Sequence, residues 1–447
     1  MNIAPYPKYV SNWGAWIGSI PDHWLVLRSD FTTESNKQQV SESEMDGIEV
    51  VHYSIPNIQE FGSAQIEDGS SIDSSKLRIT KAQLLISKLN PRKATICIAE
   101  PHEVLLTVCS GEFVPVVNGL DLVLRYCFYV WGSDKVTKLL SSKVQSVTRS
   151  HQRCTPEDIT KLSWGWPPRV EQQQIAAFLD WKTSQIDALI AKKQELLQKL
   201  KEKRLAVITQ AVTKGLNPDA PMRDSGIPWL GEVPNHWCVK RLRFSVQRIE
   251  QGWSPQCDNQ PAEDEAWGVM KVGCVNGDEF DAMENKALPV ELEPMPEYEL
   301  QPKDILISRA NTKELLGSAA IVPTDVRQKL LLCDKLFRLR PEAGVDEEFL
   351  TCYLRTPAAR YQYEREATGS SGSMQNIGQG TLKNLVVVFP PLAEQRSIFQ
   401  YIRVERSKLD ELLDKAQSAI TRLTEYRTAL ITAATTGKID VRDWQRP

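Results

Sequence analysis

Apolar residues fall at a seven-residue beat along two stretches of the chain. The first carries Leu179, Ile186, Leu200 and Val207, with Leu189 and Leu196 between them; the second carries Ile402, Leu409, Ala416, Leu423 and Leu430, with Leu412, Ala419 and Tyr426 between. So narrow a seam is what one helix needs to lie along another. Both stretches open on the same device: Trp166-Pro167-Pro168-Arg169-Val170-Glu171-Gln172 and, 223 positions later, Phe389-Pro390-Pro391-Leu392-Ala393-Glu394-Gln395. Trp166 precedes a proline and is pushed toward extended backbone. Pro168 suits a first helical position, where a missing N–H costs nothing, and Glu171 lies in a first turn, where the helix dipole favours negative charge. Gly215 and Gly437 stand where a left-handed cap would end each helix, and Pro218 follows the first. From Glu171 to Lys214, at about 1.5 Å per residue, the rod is roughly 65 Å long, too long to be buried in one small domain. Either the helices merely hold two globular pieces together, or they form a ruler that fixes the separation of those pieces; the repetition favours the ruler. Lys182, Lys193 and Lys203 interrupt the first seam.

The repetition extends beyond the helices. Trp16-Ile17-Gly18-Ser19-Ile20-Pro21-Asp22-His23-Trp24 returns 213 positions later as Trp229-Leu230-Gly231-Glu232-Val233-Pro234-Asn235-His236-Trp237, identical at five of nine positions. An internal repeat of this kind decides the reading of the fold. His23 and His236 invite a metal or catalytic reading, but a single histidine beside a tryptophan is better placed in a docking turn. After the first opener, residues 25 to about 165 are mixed and strand-rich: Val104–Val108 and Leu122–Tyr126 are apolar runs of strand length. Lys81–Asn90 is a strand running into a polar turn, echoed by Lys303–Asn311. Residues 135–149 and 347–367 read as helical. A polar loop precedes each long helix: Thr148-Arg149-Ser150-His151-Gln152-Arg153, then Thr368-Gly369-Ser370-Ser371-Gly372-Ser373-Met374-Gln375-Asn376. Such loops offer N–H groups and hydroxyls that suit phosphate oxygens; the competing reading is a solvated linker. Residues 215–228 are a linker by composition. Ala4-Pro5-Tyr6-Pro7 resembles its second half and Gly437-Lys438-Ile439-Asp440 its first, as though the chain were cut from a circular order of domain, helix, domain, helix; antiparallel helices would then bring the two ends close.

Composition narrows the picture. At 447 residues the expectation is two to four domains. No run approaches the ~20 apolar residues of a membrane span, and the first residues lack a signal-peptide pattern. Nine cysteines with no Cys-x-x-Cys pair argue for reduced thiols in a cytoplasmic protein rather than a zinc ribbon or a disulfide framework. A net charge of −3 is not that of a generic nucleic-acid binder, so any DNA-binding charge must be local or supplied by a partner. Common catalytic signatures are missing together: no Gly-x-x-x-x-Gly-Lys-Ser/Thr loop, no Gly-x-Gly cofactor loop after a strand, no Asn-Pro-Pro-Tyr type methyltransferase motif, no carboxylate-and-lysine nuclease pattern and no Gly-x-Ser-x-Gly elbow.

A Trp-Leu/Ile-Gly-x-Ile/Val-Pro-x-His-Trp opener, a variable globular region, then Pro-Pro-x-x-Glu-Gln and a long helix, all duplicated over nearly the whole chain, resembles the specificity subunit of type I restriction–modification systems. The resemblance implies an α+β chain: two mixed, strand-rich target-recognition domains separated by two long antiparallel helices, a coiled coil with a pseudo-twofold internal repeat. The boundaries would be residues 1–165 for the first recognition domain, 166–216 for the first spacer helix, 217–388 for the linker plus second recognition domain, and 389–447 for the second spacer helix and tail. Each domain would read one half of a bipartite, asymmetric duplex DNA target, and the helices would set the unread gap. Such a subunit has no catalytic residue, metal or cofactor of its own. It docks two modification subunits, which methylate adenine with S-adenosylmethionine, and through them restriction subunits that use ATP and Mg. Arginine and lysine pair with guanine edges, asparagine and glutamine with adenine. The candidate DNA-binding residues are therefore Lys88, Asn90, Arg92, Lys93, Arg149, Gln152 and Arg153, then Arg309, Asn311, Lys313, Ser371, Ser373, Gln375 and Asn376. The first pre-helix loop departs from the family's glycine-serine form. Candidate helix or subunit interface residues are Pro168, Glu171, Gln172, Leu179, Ile186, Leu189, Leu196, Leu200, Val207, Pro391, Glu394, Gln395, Ile402, Leu409, Leu412, Leu423 and Leu430. The alternatives are a coiled-coil scaffold that binds no DNA and an unrecognised DNA methyltransferase or endonuclease.

Overall fold

A computed structural model describes residues 4–11, 16, 18–31, 33–34, 38–118, 122–144, 152–369 and 374–446. Along the chain the elements used below are β1 (Leu25–Arg28), β2 (Gln83–Ser87), β3 (Ile96–Ala99), β4 (Phe113–Asn118), α1 (Leu124–Trp131), α2 (Asp134–Ser142), β5 (Ser163–Trp166) and the long helix α3 (Arg169–Lys214). There follow β6 (Cys238–Arg241), β7 (Val246–Gln251), β8 (Ile305–Ser308), β9 (Ala310–Asn311), β10 (Ala319–Ile321), β11 (Leu336–Pro341), α4 (Glu347–Leu354), α5 (Pro357–Glu366), β12 (Gln375–Asn376), β13 (Val386–Phe389) and the second long helix α6 (Leu392–Thr435). The chain divides into two units: Met1–Gln194 with Gln417–Pro447, and Glu195–Ala416. Each unit therefore holds the start of one long helix and the end of the other, running antiparallel. Among the described residues, no helix is long and apolar enough to cross a membrane.

The two units are built on one plan. In unit 1 an antiparallel sheet runs β3–β2–β4 and ends on Thr33–Glu34; in unit 2 the order β10–β8–β11–β7 repeats it. The middle strands are apolar without alternation because both faces are covered, as in a fully buried strand. Leu84 and Ile86 point into the core that takes in the long helices, whereas Leu85 points into the outer cluster with Ile58, Cys97 and Phe113. In unit 2, Ile305 and Ile307 face the helix side, and Leu306 faces the outer cluster with Val269 and Leu330. The outer sheets share one parallel pair, Leu106–Cys109 beside Glu49–Tyr53 and Leu330–Leu331 beside Gly268–Met270. They differ in size: five strands in unit 1, three in unit 2. The second unit's inner and outer layers meet closely at Gly252, where a Cβ would lie 1.9 Å from the carbonyl oxygen of Leu332. Gly252→Ala is expected to destabilise unit 2 by about 1–3 kcal/mol, as overpacking does, read by urea unfolding; an unchanged midpoint would show that the backbone there gives way freely.

Two expectations need correction. Leu122–Tyr126 is not a strand: Leu124 opens helix α1, which buries Tyr126, Cys127, Val130 and Trp131. Its unit 2 counterpart is α4, and the single helical stretch expected over 347–367 is broken into α4 and α5, where Thr356 caps a new start and Pro357 takes the first position. The expected helix over 135–149 is α2, ending at Ser142; residues 145–149 lie outside those described.

Candidate nucleic-acid interface and the joints that position it

The two repeated motifs turn out to be halves of one joint. In unit 1 the Glu171 carboxylate, buried in the first turns of α3, accepts the Tyr6 hydroxyl at 2.6 Å and the Trp24 indole N–H at 2.9 Å, and meets His23 Nε2 at 2.8 Å. Burial, and then the adjoining carboxylate, raises the Tyr6 hydroxyl far above the ordinary tyrosine range. In unit 2, Glu394 meets His236 Nε2 at 2.8 Å and accepts the Trp237 indole N–H at 3.1 Å. The histidines are thus committed to docking contacts. The neighbouring glutamines complete the joint. Gln172 accepts the Val123 N–H at 2.9 Å, just before α1, and donates to the Pro167 carbonyl; Gln395 accepts the Asp346 N–H at 2.8 Å, just before α4, and donates to the Pro390 and Gly344 carbonyls. Each joint also takes the end of the other helix. Gly437, at φ 68°, lies against Pro21 and Trp24, and Gly215, at φ 82°, lies against Trp237. Asp440 N–H donates to Ala4 at 2.8 Å, so the first and last described stretches meet within unit 1 as the circular order requires.

The seam is narrower than the heptads imply. Leu179, Ile186, Ile402, Leu409, Ala416 and Leu430 are buried, and Leu200, Val207 and Leu423 half-buried. Leu189, Leu196 and Leu412 are 43%, 41% and 47% exposed and do not belong to the helix–helix seam. A straight helix drifts about 20° per heptad from a 3.5-residue repeat, so the intermediate positions rotate out while one row stays covered. Pro168 and Pro391 are exposed residues that precede the helices. Their carbonyls accept the Gln172 N–H and the Glu394 and Gln395 N–H groups, so they start the helices rather than pack a side chain.

The candidate DNA-contacting residues come together in each unit at matching places. In unit 1, Leu89 bridges Arg153, Asn90 N–H donates to the Gln152 carbonyl at 2.7 Å, and Cys154 N–H donates to the Lys88 carbonyl. In unit 2, Ala310 pairs with Asn376 and Asn311 with Gln375. The strand-end turn and the pre-helix loop, far apart in sequence, thus form one polar end in each copy. In unit 1 the turn Pro91–Lys93 is enclosed by Asn90 and Ala94 at φ 48° and 45°. A left-handed alanine costs energy and persists only where its surroundings dictate it, and the turn exposes Arg92 and Lys93. Arg153 is exposed and pairs with Glu112 at 2.9 Å. In unit 2, Arg309 donates to the Asp334 carbonyl at 3.2 Å, Lys313 is exposed, and Gln375 and Asn376 are half-buried. Asn311 is 7% exposed, and its amide is taken up by Asn276 Oδ1 at 2.8 Å and the Thr312 N–H. Arg149, Ser371 and Ser373 lie outside the described residues. Glu112 and Asn276 belong to no repeated motif and have no signal in the sequence; Tyr6 lies in the Ala4–Pro7 echo of the linker, but nothing there marks it as a partner of Glu171.

No protein-family model matches the chain. Over 242 residues, 54% of its length, the chain is 29% identical to the type I restriction enzyme EcoEI specificity subunit of Escherichia coli and covers 40% of that relative. Over 276 residues, 61% of its length, it is 25% identical to the EcoKI specificity subunit of Escherichia coli strain K12 and covers 57% of it. The chain thus spans about half the length of these curated relatives. Its fold matches a solved chain from work on complex assembly and conformational transition of the type I restriction–modification system, with a TM-score of 0.73 at 18% identity over 94% of this chain and 99% of that one. In sequence the chain is similar to type I specificity subunits, and its mixed α+β architecture with paired long helices is shared with the solved chain.

Proposed function

We propose that this chain is the DNA-specificity subunit of a type I restriction–modification complex, with units 1 and 2 each reading one half of a split, asymmetric duplex target while α3 and α6 set the unread gap. The observation that carries this reading is a single scaffold built twice with unlike reading ends. The same Glu–His–Trp joint and the same four-stranded sheet support Lys88, Arg92, Lys93 and Arg153 in one copy, and Arg309, Lys313, Gln375 and Asn376 in the other. Duplication in place of dimerisation frees the target from being palindromic, while half-site spacing is still set by protein geometry. With a net charge of −3, much of the phosphate neutralisation falls to partners. Those partners are two modification subunits carrying S-adenosylmethionine and, where present, restriction subunits carrying ATP and Mg. The exposed Leu189, Leu196 and Leu412 offer apolar docking surface for them. The nine cysteines are free thiols, which suits a reducing cytoplasm.

The test is methylation. Purified with its modification subunit and given S-adenosylmethionine and a randomised duplex library, the chain is expected to direct adenine methylation to one split motif. Alone it transfers no methyl group. Arg92→Ala with Lys93→Ala is expected to relax discrimination only in the half read by unit 1, by about 1–3 kcal/mol for each lost base contact. Methyl transfer by the chain alone, or a complex with no sequence preference, overturns the assignment.

A further inference from the structure

Unit 2 contains a cluster of charge that the reading above does not use. The loop from Asn276 to Glu279, leaving the outer core at Cys274 and Val275, is gripped by three arginines at once. Arg355, which follows α4, donates to the Gly277 carbonyl at 3.0 Å, to the Asp278 carbonyl at 2.7 Å and to the Asp278 carboxylate at 2.7 Å. Arg204 of α3 pairs with the same carboxylate, and Arg406 of α6 lies 3.7 Å from it and 3.7 Å from Glu279. Asp410 of α6 ties the last two arginines together, at 3.3 and 3.4 Å. Three guanidiniums thus converge on one aspartate. Burial raises the Asp278 carboxyl, but Arg204, then Arg355 and Arg406, outweigh it and hold the group below the usual aspartate range. Burial, together with the other two cations, lowers the Arg355 guanidinium. Removing the aspartate would leave like charges facing one another in a partly desolvated site, where repulsion is weakly screened.

The other end of this short loop reaches the reading end. Asn276 Oδ1 accepts the Asn311 amide at 2.8 Å; Asn311 lies in β9, whose partner β12 carries Gln375 and Asn376. Only Gly277 stands between the residue held by the β9–β12 pair and the residue held by the arginines. A cleft of about 1220 Å³, lined also by Lys303, Glu348 and Arg403, lies beside the cluster.

We infer that Asp278 is a positioning residue: through Asn276 and Asn311 it fixes the β9–β12 pair at the reading end of unit 2 on the two long helices, and so sets the register in which that half-site is read. This rests on the specificity-subunit reading, and the experiment separates the two. The full chain, co-purified with its modification subunit, methylates a randomised duplex library with S-adenosylmethionine, and the modified sequences are counted. If the unaltered complex yields no split motif, the functional reading fails and this inference with it. If it yields one, Asp278→Asn is expected to lower discrimination in the unit 2 half-site on the order of tenfold, the scale of one charge-assisted hydrogen bond. It is also expected to admit gaps one base pair longer or shorter, with the unit 1 half unchanged. Asp278→Glu restores most of the discrimination. Should Asp278→Asn not fold, Arg204→Gln with Arg406→Gln releases the helix side alone and is expected to give the same one-sided loss. An unchanged motif and gap in these variants, or an equal loss in both halves, overturns the inference.

Discussion

Replacing Glu171 by alanine is expected to cost unit 1 about 3–5 kcal/mol, the range for removing one partner of a buried charged contact. The side chain is 6% exposed and is the acceptor for two donors that are themselves buried, the Tyr6 hydroxyl and the Trp24 indole N–H. Each buried donor left unpaired costs about 1–3 kcal/mol. The equivalent change at Glu394 is expected to cost roughly 1–3 kcal/mol. Among the described residues Glu394 has no counterpart of the Tyr6 contact, its carboxylate is 31% exposed, and His236 is half exposed and recovers water when its partner is lost. Glu171→Gln keeps one acceptor oxygen but turns an NH₂ toward donors, so it falls between. Urea unfolding followed by tryptophan fluorescence reads both transitions, because Trp24 and Trp237 sit in the two joints. Equal and small shifts for the two alanine variants would show that the joints are held by apolar packing and that the carboxylates are incidental.

That asymmetry marks the limit of what the sequence discloses. The long helices were legible because their signal is local: apolar residues recur within one turn or two, and the prolines and glycines mark the ends. The opener and the Pro-Pro-x-x-Glu-Gln start were each visible as repeats, but nothing local says that they touch. Glu171 lies 147 positions from Trp24, and the contact exists only once the sheet has brought them together. Leu122–Tyr126 failed for a different reason. A short, largely apolar run fits a buried strand or a buried helix equally well, and the helix is chosen by tertiary contacts, with Gln172 taking the Val123 N–H in advance of α1. The heptad count assigned Leu189, Leu196 and Leu412 to the seam because periodicity records that a residue is apolar and not what covers it. Asp278 was least legible of all. Asn276-Gly277-Asp278-Glu279 belongs to no repeat and no periodic run, and only the arrival of Arg204, Arg355 and Arg406 from distant positions gives Asp278 a role. The candidate DNA-contacting residues sit between these cases. The polar strand end and the polar pre-helix loop are each visible in the sequence, but their convergence through Leu89–Arg153 and Ala310–Asn376 has no signature beyond the repeat itself.

The second large effect concerns the helices. Inserting seven residues at the same level of both, between Gln194 and Glu195 in α3 and between Ala416 and Gln417 in α6, lengthens each by about 10.5 Å. At about 3.4 Å per base pair this corresponds to roughly three base pairs. If the helices set the gap, the methylated motif keeps both halves and its gap grows by about three. A heptad preserves the buried row, since Ile186, Ile402, Leu409 and Leu430 keep their face, and it leaves both joints untouched. The same insertion in α3 alone has a different outcome. Glu171 fixes the start of α3 in one joint and Gly215 fixes its end in the other, while α6 is fixed in the same two joints by Gly437 and Glu394. A single lengthened helix cannot satisfy both of its ends against an unlengthened partner. The seam slips by a heptad on one side, and either the Asp187–Arg427 pair at 2.8 Å or the Arg204–Asp410 pair at 3.3 Å loses its register. The single insertion is therefore expected to abolish split-motif methylation and lower the unfolding midpoint, and the matched insertion to restore both with the longer gap. A matched insertion that methylates at the original gap would mean that the spacing is set elsewhere, by the partner subunits or by the DNA.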